Sequence, residues 1–131
     1  MTDCGIYGLV LAGGFSKRMN SDKANLVYPA YGKPQWEVTV ECIRPFCKEV
    51  FLSVRDGQRL DGFGEGSPET IGDRDSSQGP LSGFLSAVER VPGQALLVVA
   101  CDLPLLNGSI LRKMIEHRGT ADAIAYRSSS D

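Results

Sequence analysis

The sequence predicts an α/β fold: a three-layer arrangement with a mostly parallel sheet and helices on both faces. Short apolar runs of strand length, Ile6 to Leu11, Val50 to Val54 and Ala95 to Cys101, alternate with segments whose apolar residues recur at helical spacing. Glycine and proline punctuate the chain between them, at Gly13-Gly14, Pro34, Gly79-Pro80 and Pro92-Gly93. Gly13, Asp73 and Asp102 each fall just after a strand, where open parallel sheets hold their ligands.

In order, Ile6 to Leu11 is the first strand, and a glycine loop follows to about Lys23. Ala24 to Tyr28 reads as a short extended piece. Pro34 suits a first helical position, where its missing N–H is not needed. Trp36, Val40, Ile43 and Cys47 then mark one face of a helix, which Pro45 should stop or kink near Arg44. Val50 to Val54 is a second strand, Arg55 to Pro68 a polar loop with room for a little helix, and Glu69 to Ile71 a brief strand.

Asp73 to Gly79 reads as loop, and Pro80 opens a helix with Leu81, Leu85 and Val88 on one face and Phe84 alongside. Ala95 to Cys101 is apolar throughout, the pattern of a central strand covered on both faces. Asn107 or Ser109 can cap a helix carrying Ile110, Leu111, Met114 and Ile115, with His117 in its last turn. Asp122 to Tyr126 reads as a last strand and Ser128 to Asp131 as a frayed end.

Composition narrows the function classes. The 131 residues are 42% hydrophobic and 23% charged, enough for one core and one domain. A net charge of -2 argues against a nucleic-acid surface. No apolar run reaches membrane-spanning length, and Met-Thr-Asp-Cys does not begin a secretory signal, so a cytoplasmic protein is expected. Cys4, Cys42, Cys47 and Cys101 form no Cys-x-x-Cys, and His117 alone cannot complete a metal set with them, so reduced thiols are expected. Cys101 reads as a small buried residue.

The strongest motif is Leu11-Ala12-Gly13-Gly14 followed by Ser16, Lys17, Arg18, Asp22 and Lys23. Paired glycines let backbone amides crowd a ligand, and the cations that follow suit a polyphosphate. It is not a Walker A loop: Gly8 and Gly13 have the spacing, but Gly14 stands where the lysine belongs. Asp102, directly after the most apolar strand, would be half-buried, and a Mg²⁺ bridging phosphates would supply its counter-charge. On local sequence it could equally cap a turn.

Leu11-Ala-Gly-Gly, Ser16-x-Arg18-Met19 and Asp22-Lys23-Ala24 together resemble the signature loop of the MobA-type molybdenum cofactor guanylyltransferases. Gly32-Lys33-Pro34-x-Trp36, Gly79-Pro80-Leu81-Ser82-Gly83 and Cys101-Asp102-x-Pro104 resemble further stretches of that family, over Ile6 to about Tyr126. The resemblance implies a Rossmann-like fold of the nucleotide-diphospho-sugar transferase type. It also implies Mg²⁺-dependent transfer of GMP from GTP to molybdopterin cofactor, with pyrophosphate leaving. By it, Leu11, Ala12, Gly13, Gly14, Ser16, Lys23, Asp73, Gly79 and Asp102 line the nucleotide site. Arg18, Lys23 and Asp102 carry catalysis, and Asp102 holds the metal. Asp75 competes with Asp73. GTP, molybdopterin and partner proteins of molybdenum cofactor assembly are the implied partners.

Gly13 favours the guanylyl branch over related cytidylyl enzymes, which tend to carry Leu-Ala-Ala-Gly. Asn20 stands where the family usually has glycine, and Val54-Arg55 where it often has Ala-Asn. Family members generally continue further, so the expectation is a single nucleotidyltransferase domain, 1–131, lacking its C-terminal part. A truncated or non-catalytic nucleotide-binding module is the alternative.

Overall fold

A computed structural model of the chain describes residues 5–12, 23–54, 58–72, 80–101 and 107–118. Four strands, β1 (Ile6–Leu11), β2 (Glu49–Val54), β3 (Glu69–Gly72) and β4 (Ala95–Ala100), form one sheet in the order β3-β2-β1-β4. Every neighbouring pair is parallel. Three α-helices accompany it: α1 (Gln35–Ile43), α2 (Pro80–Arg90) and α3 (Gly108–Glu116).

The period-two alternation of strand side chains separates two cores. Ile6, Val10, Ala12, Val50, Leu52, Leu97, Val99 and Cys101 meet Trp36, Val40 and Ile43 of α1 and Leu111 of α3 on one face. Leu9 and Phe51 meet Ala87 of α2 on the other, with Tyr7, Leu11, Ile71, Leu96 and Val98 partly buried around them. The result is the expected three-layer α/β architecture.

Several local expectations are corrected. Pro34 sits one position earlier than expected, as the N-cap with ψ 147°, and α1 begins at Gln35. The helix ends at Ile43 because Pro45 cannot continue it; a 3-10 turn, Arg44–Phe46, follows, and Cys47 lies beyond it in extended backbone, still buried. Ala24 belongs to a 3-10 turn, Lys23–Asn25, and Val27 makes only an isolated antiparallel bridge with Pro34. Residues 58–68 hold no helix, and 55–57 lie outside the described residues.

α2 turns differently from its leucine periodicity. Phe84, Leu85 and Val88 are 38%, 41% and 39% exposed, whereas Gly83 and Ala87 are buried. Small residues let the helix seat close on the sheet, and its bulky side chains are left at the margin. β4 is the last strand of the described sheet, beside β1. α3 is capped by Asn107, whose side chain accepts from the Ile110 N–H, and His117 sits just past its end with Nδ1 2.7 Å from the Lys113 carbonyl. The expected strand Asp122 to Tyr126 lies outside the described residues.

Gly8 is the tightest point of the larger core. A Cβ there would lie 2.8 Å from Cys47 Sγ and 2.9 Å from Ile43 Cδ1. Gly8→Ala is therefore expected to destabilise the fold: overpacking costs about 1–3 kcal/mol, against up to about 1 kcal/mol regained from backbone entropy. Urea unfolding checks this, as a lowered midpoint at unchanged slope. Burial there also pushes the Cys47 thiol up to about 12, so it stays protonated and inert at neutral pH. None of Cys42, Cys47 and Cys101 is disulfide-bonded, as the sequence suggested.

Candidate active site

Because all four strands run the same way, their C-terminal ends share one rim. Leu11 is in register with Ser53 of β2 and with Ala100 of β4. The ladder extends one residue further on both sides of β1: the Ala12 N–H donates to the Ser53 carbonyl at 2.9 Å, and the Cys101 N–H to the Leu11 carbonyl at 3.3 Å. The chain thus reaches Ala12 and Cys101 on adjacent strands, a spacing of about 4.8 Å. From β1 it passes through α1 to β2 on one side; from β3 it crosses through α2 to β4 on the other. The gap between β1 and β4 is therefore the topological switch point, where doubly wound sheets open their binding crevice.

The sequence-predicted residues distribute around this rim as follows. Leu11 and Ala12 are on it, Leu11 half-buried and Ala12 buried. Lys23 opens the 3-10 turn, and the next residue, Ala24, is buried in the same cluster as Ala12. Ala12 and Ala24, on either side of residues 13–22, thus share one buried cluster. Gly13, Gly14, Ser16, Arg18, Asp73, Gly79 and Asp102, and the side chain of Lys23, lie outside the described residues. Gly13 and Asp102 each follow the in-register pair Leu11 and Ala100 by two positions. Asp73 follows Gly72 at the end of β3, two strands from β1, a lateral distance of about 10 Å. Gly79 immediately precedes α2.

Sequence reasoning missed the loop that borders the rim. The Gln58 side chain donates from Nε2 to the Ala12 carbonyl at 2.6 Å. Asn25 uses both ends of its amide: Nδ2 donates to the Arg59 carbonyl at 2.9 Å, and Oδ1 accepts from the Asp61 N–H at 2.9 Å. Trp36 Nε1 donates to the Asp61 carbonyl at 2.9 Å, and its ring lies 5.8 Å from that of Phe63. Nothing in a polar, glycine-rich stretch with no periodicity marks these partners; only an amide two residues after Lys23 hints at a turn.

Among the described residues, no group of three or more His, Cys, Asp or Glu could hold a metal ion. Asp102, the metal donor expected from the sequence, lies outside the described residues; an aspartate offers hard oxygens suited to a divalent cation such as Mg²⁺, and Ala100, two positions before it, is in register with Leu11.

Known proteins share this fold. Rv0371c from Mycobacterium tuberculosis H37Rv shares the fold, with a TM-score of 0.63 at 23% identity over 88% of this chain and 61% of that one. A structure of Rv0371c in complex with manganese gives a TM-score of 0.60 at 21% identity, covering 86% of this chain and 58% of that one. The molybdenum cofactor biosynthesis bifunctional protein of Synechocystis is 41% identical over 110 residues, 84% of this chain and 31% of that protein. The molybdenum cofactor guanylyltransferase of Shewanella piezotolerans is 33% identical over 119 residues, 90% of this chain and 57% of that enzyme. The chain thus spans about a third and somewhat over half of those two relatives. The model of the MobA-like NTP transferase domain matches residues 8–131, nearly the whole chain. On that match, this chain belongs to the MobA-like NTP transferase family.

Proposed function

We propose that this chain binds GTP with Mg²⁺ at the β1–β4 rim and transfers GMP to a molybdopterin cofactor. The observation that carries the reading is the register of Leu11 with Ala100, the strand ends that precede Gly13 and Asp102 by two positions in the sequence. The relatives named as guanylyltransferases support the nucleotide and the acceptor, and Gly13 in Leu11-Ala-Gly-Gly supports guanine over cytosine.

In this reading a terminal phosphate oxygen of the acceptor attacks the α-phosphorus of GTP. A new phosphorus–oxygen bond forms, the α–β bridge breaks, and pyrophosphate leaves with its electron pair. The attacking oxygen is already anionic, so no general base is needed, in keeping with a chain whose single histidine lies at the end of α3. What the chain must supply is alignment and neutralisation. Gly13 and Gly14 amides and Ser16 would cradle the triphosphate. Arg18 and Lys23 would hold its β- and γ-phosphates, and Asp73 and Gly79 would border the nucleoside. Asp102 would hold the divalent ion, which supplies charge neutralisation at the phosphate oxygens when bound. No helix among the described residues is long and apolar enough to cross a membrane. That fits a cytoplasmic site to which partner proteins of cofactor assembly bring the acceptor.

The test is incubation with α-labelled GTP, Mg²⁺ and molybdenum cofactor. Pyrophosphate release dependent on the cofactor, and inhibited more by unlabelled GTP than by CTP, is the expected result. Nucleotide binding without release would identify a binding module instead. Stronger competition by CTP would move the chain to the cytidylyl branch.

A further inference from the structure

The loop that follows β2 grips both ends of the glycine loop. Ala12 and Ala24, on either side of residues 13–22, are buried in one cluster, and Lys23–Asn25 forms a 3-10 turn. The same four-residue run, Gln58 to Asp61, is bonded at both places: Gln58 to the Ala12 carbonyl at 2.6 Å, and Arg59 and Asp61 to the two ends of the Asn25 amide at 2.9 Å each. The run is itself held from below by buried Trp36 through the Asp61 carbonyl. We infer that Gln58 and Asn25 are positioning residues, a clamp that fixes the separation and direction of the two ends of the phosphate-binding loop. The inference rests on the nucleotide reading above and names residues that it does not use.

The Gln58 contact holds the carbonyl of Ala12, the last described residue before the glycine loop. An amide is needed at both positions. Gln58 must donate, which an ionised glutamate cannot do; Asn25 must donate and accept, and aspartate loses the donor. Preorganised donors bind better because their ordering is complete before the ligand arrives.

The test compares the unmodified chain with Gln58→Glu, Gln58→Lys and Asn25→Asp. Titration calorimetry with GTP and Mg²⁺ is read beside thermal unfolding, and amide hydrogen exchange over residues 11–12 and 23–25 is followed without nucleotide. The clamp predicts that Gln58→Glu and Asn25→Asp each weaken GTP binding by about tenfold, the scale of one hydrogen bond to a preorganised group. Thermal midpoints should stay close together. Gln58→Lys, which keeps an N–H donor of similar reach, should recover most of the binding. Exchange at both anchor segments should quicken in Gln58→Glu and Asn25→Asp. Unchanged exchange in those variants, or lysine failing as badly as glutamate, would overturn the clamp. If the unmodified chain binds neither GTP nor CTP, the nucleotide reading fails, and the exchange measurement still decides whether the clamp exists.

Discussion

Asp102→Ala is expected to lower cofactor-dependent pyrophosphate release by roughly 100- to 1000-fold, about 3–4 kcal/mol of transition-state stabilisation. Lys23→Ala should do the same, and each loss should fall mainly on kcat. In the proposed reaction two anions meet and a third departs, so a fixed charge at the reacting oxygens is worth more in the transition state than in the bound substrate. Asp102 and Lys23 lie far apart in the sequence. One follows β4 after buried Cys101; the other opens the turn that re-enters the core at Ala24. Their loss should therefore leave folding intact. Initial rates at saturating GTP, with circular dichroism melts of each variant, check both halves of the expectation. Near-normal turnover in either variant would remove that residue from the proposed machinery.

Trp36→Ala carries the largest expected loss of stability. Trp36 is 2% exposed and heads the fully buried side chains; it packs in one cluster with Val40, Ile43, Ala12 and Ala24. Truncating such a side chain costs about 3–5 kcal/mol, a large share of the roughly 5–15 kcal/mol that holds a domain together. The melting midpoint should fall by roughly 10–20 °C. Trp36→Phe keeps most of the ring volume but removes the N–H that reaches the Asp61 carbonyl, so it should cost less and loosen residues 58–61 selectively. This is the chain's only tryptophan, so far-UV circular dichroism, not intrinsic fluorescence, must follow the transition.

The strands were the most legible part of the chain. Ile6–Leu11 reads directly from its apolar run, and Val50 to Val54 needed only Glu49 added. Short strands in a parallel sheet are apolar on both sides, so their boundaries stand out against polar loops. The expectation that β4 is central turns on what lies beside it, and among the described residues its only neighbour is β1. Helix orientation was partly hidden for a different reason. The leucines of α2 have the right spacing for a core face, but close approach to the sheet was decided by Gly83 and Ala87, whose small size sequence patterns do not reward.

Of the expected site, the glycine loop and Asp102 stand out in the sequence because each interrupts an apolar run at its carboxyl end, and both lie outside the described residues. The Gln58 and Asn25 contacts were not legible. They join residues 46 and 34–36 positions apart through single hydrogen bonds, and no periodicity announces such a pairing.

The two cores are unequal, and that sets an order of opening. On the α1 and α3 side the sheet is sealed by Trp36, Val40, Ile43 and Leu111. On the other side the buried apolar side chains among the described residues are Leu9, Phe51 and Ala87, and Arg90, bonded to Glu69 at 3.1 and 3.2 Å and lying over the Phe51 ring, closes the end of α2 at the surface. The α2 layer is thus the natural first foldon to detach, while β1, β2 and α1 persist as the residual folded unit. Breathing of the molecule would then be concentrated in the helix that begins next to Gly79, and a ligand seated there would be felt as slower fluctuation of that whole layer.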